Sequence, residues 1–197
     1  MQVALLLFND FETLDVFGPV EILGKHNDKY SIHYYSMDGG LIRNNDGISM
    51  LTLKLEELRN APDVFLIPGG MGTRIEVENK LLIQKINDIA KASQYVLTVC
   101  TGSALLAATG LLDHKNATSN KRAFDWVVMM GPDVNWNKKA RWVVDGKFYT
   151  SSGVSAGMDM TLGFLADRHG MDVAKKIASR IEYNWIADKD NDSFAAR

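Results

Sequence analysis

The chain predicts an α/β sandwich built on a mostly parallel sheet. Short continuous apolar runs alternate with segments of helical periodicity. Each run stops at a cluster of turn-forming residues. No repeat, low-complexity stretch or Pro/Ser-rich linker divides the 197 residues, a length that suits one domain.

The elements follow in order. Val3–Phe8 is a continuous apolar run closed by Asn9-Asp10, the pattern of a buried parallel strand. Ile32–Met37 is a second strand, ended by Asp38-Gly39-Gly40, and Val64–Ile67 a third, stopped by Pro68-Gly69-Gly70. Thr73 with Glu76 reads as a capping box opening a helix that carries Leu82, Ile86, Ile89 and Ala90 on one face. Tyr95–Val99 is the fourth strand. Ser103–Thr109 reads as a helix closed by Gly110, and Lys121–Met130 as another, stopped by Gly131-Pro132. Arg141–Val144 and Lys147–Thr150 flank Asp145-Gly146, a two-residue hairpin signal. Ser155 caps a helix bearing Met158, Leu162 and Leu165 that ends at Gly170. A last helix places Val173, Ala174, Ile177, Ile181 and Trp185 on one stripe. The domain therefore runs over 1–187, followed by a polar, loosely held tail at 188–197.

Composition narrows the function classes. A net charge of −2 and a pI near 6.1 argue against nucleic acid as a partner and give no attraction to an acidic membrane surface. The apolar opening is too short for a signal core or a membrane span and has no basic segment before it. Cys100 is the one cysteine, so no intrachain disulfide forms, and a free thiol fits a reducing compartment. The expectation is a cytoplasmic protein acting on a small molecule. His26, His33, His114 and His169 show no metal-ligand spacing and read as surface or loop residues, so no metal or cofactor is expected. Asp188, Asp190 and Asp192 alternate as in a calcium loop, but Ser193 stands where that loop needs glycine. Neither a dinucleotide fingerprint nor a phosphate loop is present.

Parallel sheets bind ligands beyond the carboxyl ends of their strands, and three such ends are unusual. Cys100 follows the fourth strand at once and precedes a helix. That turn projects a side chain above the sheet and sets the thiol at a helix N-terminus, which lowers a thiol pKa from about 8.5 into the range of roughly 3.5–7.5. The alternative is a buried cysteine acting as a small hydrophobe. Gly102 allows close packing beside it. Gly69-Gly70 either presents N–H groups to an oxyanion or makes a tight turn. Asp15, between Leu14 and Val16, is either a solvated charge or a carboxyl in an apolar pocket with a raised pKa, able to exchange a proton with the thiol.

Together these segments resemble the ThiJ/PfpI group of class I glutamine amidotransferase-like proteins. The resemblance spans nearly the whole chain. It rests on Leu14-Asp15-Val16-Phe17-Gly18-Pro19-Val20-Glu21, Val64–Gly70, and Val99-Cys100-Thr101-Gly102-Ser103 with Leu105-Leu106-Ala107. Gly110-Leu111-Leu112, Ala117-Thr118-Ser119 and Ser151–Asp159 follow in the expected order. It implies a flavodoxin-like three-layer α/β/α sandwich, a homodimer, and a reactive cysteine on a nucleophile elbow. The L-D-x-x-G-P segment with C-T-G is most similar to isonitrile hydratase-like members, which add water to an isonitrile carbon. On matching positions Cys100 is the nucleophile, Asp15 the acid or positioning carboxyl, and Thr101 the source of a hydroxyl and an N–H. Gly70, with Gly69, Met71 and Ser119, serves oxyanion and substrate binding.

Two departures stand out. Protease- and amidase-like members carry histidine directly after the cysteine, where this chain has Thr101. Hydratase-like members read A-T-T-H-W where this chain has Ala117-Thr118-Ser119-Asn120-Lys121. The first departure predicts a poor peptidase, since threonine cannot shuttle a proton to a leaving amine. The leading expectation is a cysteine-dependent hydratase or lyase. The alternatives are glyoxalase- or amidase-like chemistry on the same cysteine, a redox or stress sensor, and a ligand-binding domain like those that open AraC-type regulators, although no helix-turn-helix pattern follows here.

Overall fold

Gln2–Leu6 forms β1, buried from Val3 onward, and Val64–Ile67 forms β5, buried throughout. These continuous apolar strands pair side by side in parallel at the middle of an eight-stranded sheet. The computed structural model describes residues 1–195. The remaining strands of this sheet are β2 (Ser31–Ser36), β3 (Gly40–Arg43), β4 (Ser49–Lys54), β6 (Tyr95–Thr98), β9 (Trp142–Asp145) and β10 (Phe148–Ser151). Their order is β3-β4-β2-β1-β5-β6-β10-β9. Only the edge strands β3 and β9 run antiparallel to their neighbours. Two short strands, β7 (Asn116–Ala117) and β8 (Asn135–Trp136), pair separately.

Helices cover both faces, giving the three-layer sandwich. One layer packs α1 (Thr13–Gly24) on α6 (Ala156–His169) and α6 on α7 (Met171–Arg180). The other joins α2 (Thr73–Glu76), α3 (Lys80–Ala92), α4 (Gly102–Ala107) and α5 (Phe124–Met130). From β1 the chain crosses to β2 on one side and later to β5 on the other. Strand order therefore reverses at β1, and the crevice lies where β1, β5 and β6 end.

Several local expectations change. The capping box at Thr73 and Glu76 does not open the long helix. Those residues form α2 alone, and Thr73 Oγ1 instead donates to Gly70 O at 2.7 Å. The cap of α3 is Asn79, whose side chain accepts the Leu82 N–H at 3.2 Å. The hairpin forms one residue later than read, with Asp145 paired to Phe148 and Gly146 at φ 59°. Ile181 and Trp185 lie beyond α7, and the Trp185 indole donates to Asp159 O at 3.1 Å. The segment from Asp188 is not loose through Ala195. Lys189 O accepts the Arg141 N–H at 2.8 Å, the Asp192 N–H reaches Lys139 O at 2.7 Å, and the Asp192 carboxylate is buried 3.6 Å from Arg141 Nη1.

Candidate active site

Cys100 lies two residues beyond the end of β6 with φ 57°, a conformation that costs a non-glycine residue about 1–3 kcal/mol. Its surroundings hold it there. The Cys100 N–H donates to Ser152 O at 3.2 Å. The Cys100 carbonyl accepts Ser119 Oγ at 2.9 Å, and Ser103 Oγ donates to Ser119 Oγ at 2.8 Å. Gly102 is required beside it, because a Cβ there would stand 2.3 Å from Ile67 O. The result is the elbow expected from the sequence, with its thiol only 6% exposed.

Asp15 comes to this thiol from α1 across 85 residues of sequence. It is fully buried, which resolves the two readings of its apolar flanks in favour of the pocket. Oδ2 accepts the Gly69 N–H at 2.9 Å. Gly69 admits no side chain here, since a Cβ would lie 2.6 Å from Thr101 N and 2.8 Å from Asp15 Oδ2. Oδ1 is buried with no hydrogen bond of full geometry. The Cys100 thiol and the Val154 N–H approach the carboxyl more loosely and favour its ionised form.

Burial dominates the electrostatics of both groups. Desolvation pushes the Asp15 carboxyl up to about 8, against the opposing Gly69 N–H and with a further push from Glu12. The Cys100 thiol is also raised, by burial first and then by the Asp15 charge. The Thr101 N–H, the Asn120 side chain and the Val154 N–H pull the other way. This corrects the expectation of a depressed thiol pKa. α4 has only six residues, and its N-terminal influence is outweighed by removal of the sulfur from water.

Other candidate residues take parts different from those expected. Both glycine N–H groups are spent inside the protein, Gly69 on Asp15 and Gly70 on Thr101 Oγ1 at 3.1 Å. Thr101 contributes its N–H to the sulfur, but its hydroxyl sits 3.1 Å from Thr73 Oγ1 in the network with Gly70. Ser119 braces the Cys100 carbonyl from a fully buried position. Met71 is 62% exposed.

The donors that do face the sulfur include two the sequence reading missed. Val154 holds φ 49°, an outlier for a β-branched residue, and so turns its N–H toward both Cys100 and Asp15. Asn120 presents its amide nitrogen, because Oδ1 is fixed by the Arg122 and Ala123 N–H groups at 2.9 and 3.1 Å. Gly153 leaves room for it, since a Cβ there would meet Asn120 Nδ2 at 2.3 Å. The signal was the departure at Asn120 itself, the position held by histidine in A-T-T-H-W.

No histidine hydrogen-bonds Cys100 or Asp15 among the described residues. His169 is half-buried at the end of α6, 2.7 Å from the Tyr30 hydroxyl and edge-on to His26. Among the described residues no cluster of three or more His, Cys, Asp or Glu is placed to hold a metal ion. Nor is any helix among them long and apolar enough to cross a membrane.

A cavity of about 620 Å³ is lined in part by Asn120 and Val154, two of the donors that face the sulfur.

Comparison with known proteins places this arrangement. Isonitrile hydratase of Pseudomonas putida is 31% identical over 183 residues, covering 93% of this chain and 78% of that protein. The transcriptional regulator CdhR of Pseudomonas aeruginosa is 28% identical over 89% of this chain, which spans about half of that protein's length (53%). A ThiJ/PfpI family protein from Pseudomonas syringae superposes with a TM-score of 0.85 at 25% identity, over 93% of this chain and 75% of that one. Drosophila melanogaster DJ-1beta shares the fold, with a TM-score of 0.81 at 16% identity, over 93% of this chain and 98% of that one. The DJ-1/PfpI family model matches residues 1–167, and the chain belongs to that family.

Proposed function

We propose that the protein is a cysteine-dependent hydratase acting on a small molecule with an electrophilic carbon, in the manner of an isonitrile hydratase. The carrying observation is the buried Asp15 carboxyl set against the Cys100 thiol with no imidazole hydrogen-bonded to either among the described residues. Such a pair suits a reaction in which the nucleophile and one proton go to the substrate and no amine leaves.

The reactive form of the pair holds one proton. The Cys100 sulfur bonds to the isonitrile carbon while Asp15 protonates that carbon, giving a thioimidate, R–N=CH–S–Cys. Water adds to the same carbon and a proton passes to nitrogen. The C–S bond then breaks, the carbonyl forms, and the second water proton returns to Asp15. The product is the N-formamide, and the pair again holds one proton. The Thr101 and Val154 N–H groups and the Asn120 amide stabilise negative charge on sulfur as it leaves.

Purified protein incubated with an alkyl isonitrile should produce the N-formamide, followed by NMR, with a transient adduct of substrate mass on the intact protein. Cys100→Ala should abolish both, and Asp15→Asn should lower formamide production by about 10²–10⁴-fold. Absence of formamide and adduct at high enzyme concentration overturns the reading. A ligand-binding role without turnover is the second reading, favoured by the raised thiol pKa and the regulator relative. It predicts tight binding of a small molecule with no chemical change. The protein is also read as a cytoplasmic homodimer. Leu41 and Leu51 face each other across β3–β4, exposed at 54% and 78%, and supply an apolar surface for pairing. Light scattering should give twice the 21.9 kDa chain mass.

A further inference from the structure

The cavity beside Cys100 carries charge that the proposed reaction does not use. Lys121, Arg122 and Lys138 all line it, against one acid, Asp125. None of the three cations forms an ion pair with a carboxylate among the described residues. Lys121 is the inner one, only 8% exposed. Its ammonium donates to Ala140 O at 2.6 Å and Thr118 Oγ1 at 2.9 Å, which fixes its position. Burial pushes the Lys121 ammonium down to about 8; the Asp192 charge opposes that shift, and Arg141 and Lys138 add to it. Lys121 and Lys138 also converge on one ring, their Nζ atoms 5.6 and 5.8 Å from the Phe124 centroid. Arg122 and Lys138 are exposed at the rim.

Like charges that outnumber their counter-charges repel one another, and a concave wall with an excess of one sign concentrates ligands of the other. The same cavity shares Asn120 and Val154 with the sulfur's own hydrogen-bonding shell. Cys100 itself does not line this cavity, so the path from the cations to the sulfur runs past Asn120 and Val154.

We infer that Cys100 serves substrates bearing a carboxylate, held by Lys121, Arg122 and Lys138 while the electrophilic carbon meets the sulfur. This deepens the proposed function by naming a substrate class for the same site, yet its test does not depend on turnover. The probes are iodoacetate, which carries the carboxylate, and iodoacetamide, its neutral counterpart. Both alkylate the same sulfur, so the ratio of their rates cancels the fraction of thiolate and reports the local charge preference. Labelling of Cys100 is followed by intact mass, with the unfolded protein giving the ratio of an unguided thiol.

The folded protein should favour iodoacetate relative to its unfolded form by about fivefold or more, and added salt should erode the preference. Arg122→Gln with Lys138→Gln, both at exposed positions, should bring the ratio back toward the unfolded value. Lys176→Gln, on the exposed side of α7, should leave it unchanged. A ratio equal to that of the unfolded protein, or one indifferent to the double substitution, overturns the inference. So does failure of both reagents to label the folded protein, since the cavity would then not lead to the sulfur. If formamide production fails while the ratio behaves as expected, the hydratase reading falls and the carboxylate preference stands. The opposite pairing of results separates them the other way.

Discussion

The two walls around Cys100 are built on opposite principles. The inner wall, from the ends of β1 and β5, is fully internalised. Asp15 Oδ2, Gly69, Gly70, Thr73 and Thr101 are tied to one another through short polar contacts, with Asp15 Oδ1 left over. The outer wall, from residues 120–122, 125, 138 and 152–155, carries three cations against one acid among the described residues. Desolvation governs the first, raising both titratable groups. Solvent and unpaired charge govern the second. The inner wall sets which protons are available, and the outer wall sets what reaches them.

Breaking the inner wall should have the largest effect. Gly69→Ala drives a methyl into Thr101 N and Asp15 Oδ2. It should destabilise the protein by about 1–3 kcal/mol, seen in urea melts, and remove turnover with it. Asp15→Asn should lower formamide production by about 10²–10⁴-fold while stabilising the fold.

The sign of that stabilisation follows from linkage. Folded Asp15 keeps its proton to about 8, but the unfolded chain releases it near 3.8. Between those values the unfolded state binds fewer protons, so wild-type stability falls as pH rises through the window. Asn has no such slope. The advantage of Asp15→Asn should grow from pH 4 to pH 8 and exceed about 2 kcal/mol at the top, roughly 4–8 °C in melting temperature. A constant difference across that range would mean that Asp15 ionises normally in the fold.

Smaller effects separate bracing from chemistry. Ser119→Ala removes the hydroxyl on the Cys100 carbonyl and should cost about 1 kcal/mol of stability. Its formamide rate should fall less than tenfold, because Ser119 braces the elbow and touches no reacting atom. At the outer wall, Arg122→Gln should change stability by no more than about 0.5 kcal/mol, as an exposed residue without an ion pair among the described residues. A large loss there would show the outer wall to be as interlocked as the inner one.

The same contrast explains what could be read from the sequence. The central strands announce themselves because burial on both faces demands continuous apolar runs, as in Val3–Leu6 and Val64–Ile67. β3 at the sheet edge and β4 beside it escaped because strands exposed on most positions carry no such run. The juxtaposition of Asp15 with Cys100 was legible from strand ends and the family resemblance. The thiol's raised pKa was not, because position before a helix says nothing of how completely the sulfur is covered. The glycine N–H groups were misassigned for a similar reason. Exposure of an N–H in a turn depends on partners such as Thr101 Oγ1 that only folding supplies. Asn120 and Val154 lie in quoted motifs, yet their orientation rests on φ 49° at Val154 and on the missing Cβ of Gly153.

The central claim is that Asp15 holds its proton at neutral pH beside the Cys100 sulfur. Infrared difference spectroscopy of wild type against Asp15→Asn observes that proton directly, through the carbonyl stretch of a protonated carboxylic acid. The band should be present at pH 7 and disappear with a midpoint near 8. A carboxylate already ionised at pH 7, titrating near the ordinary value for aspartate, would contradict the account.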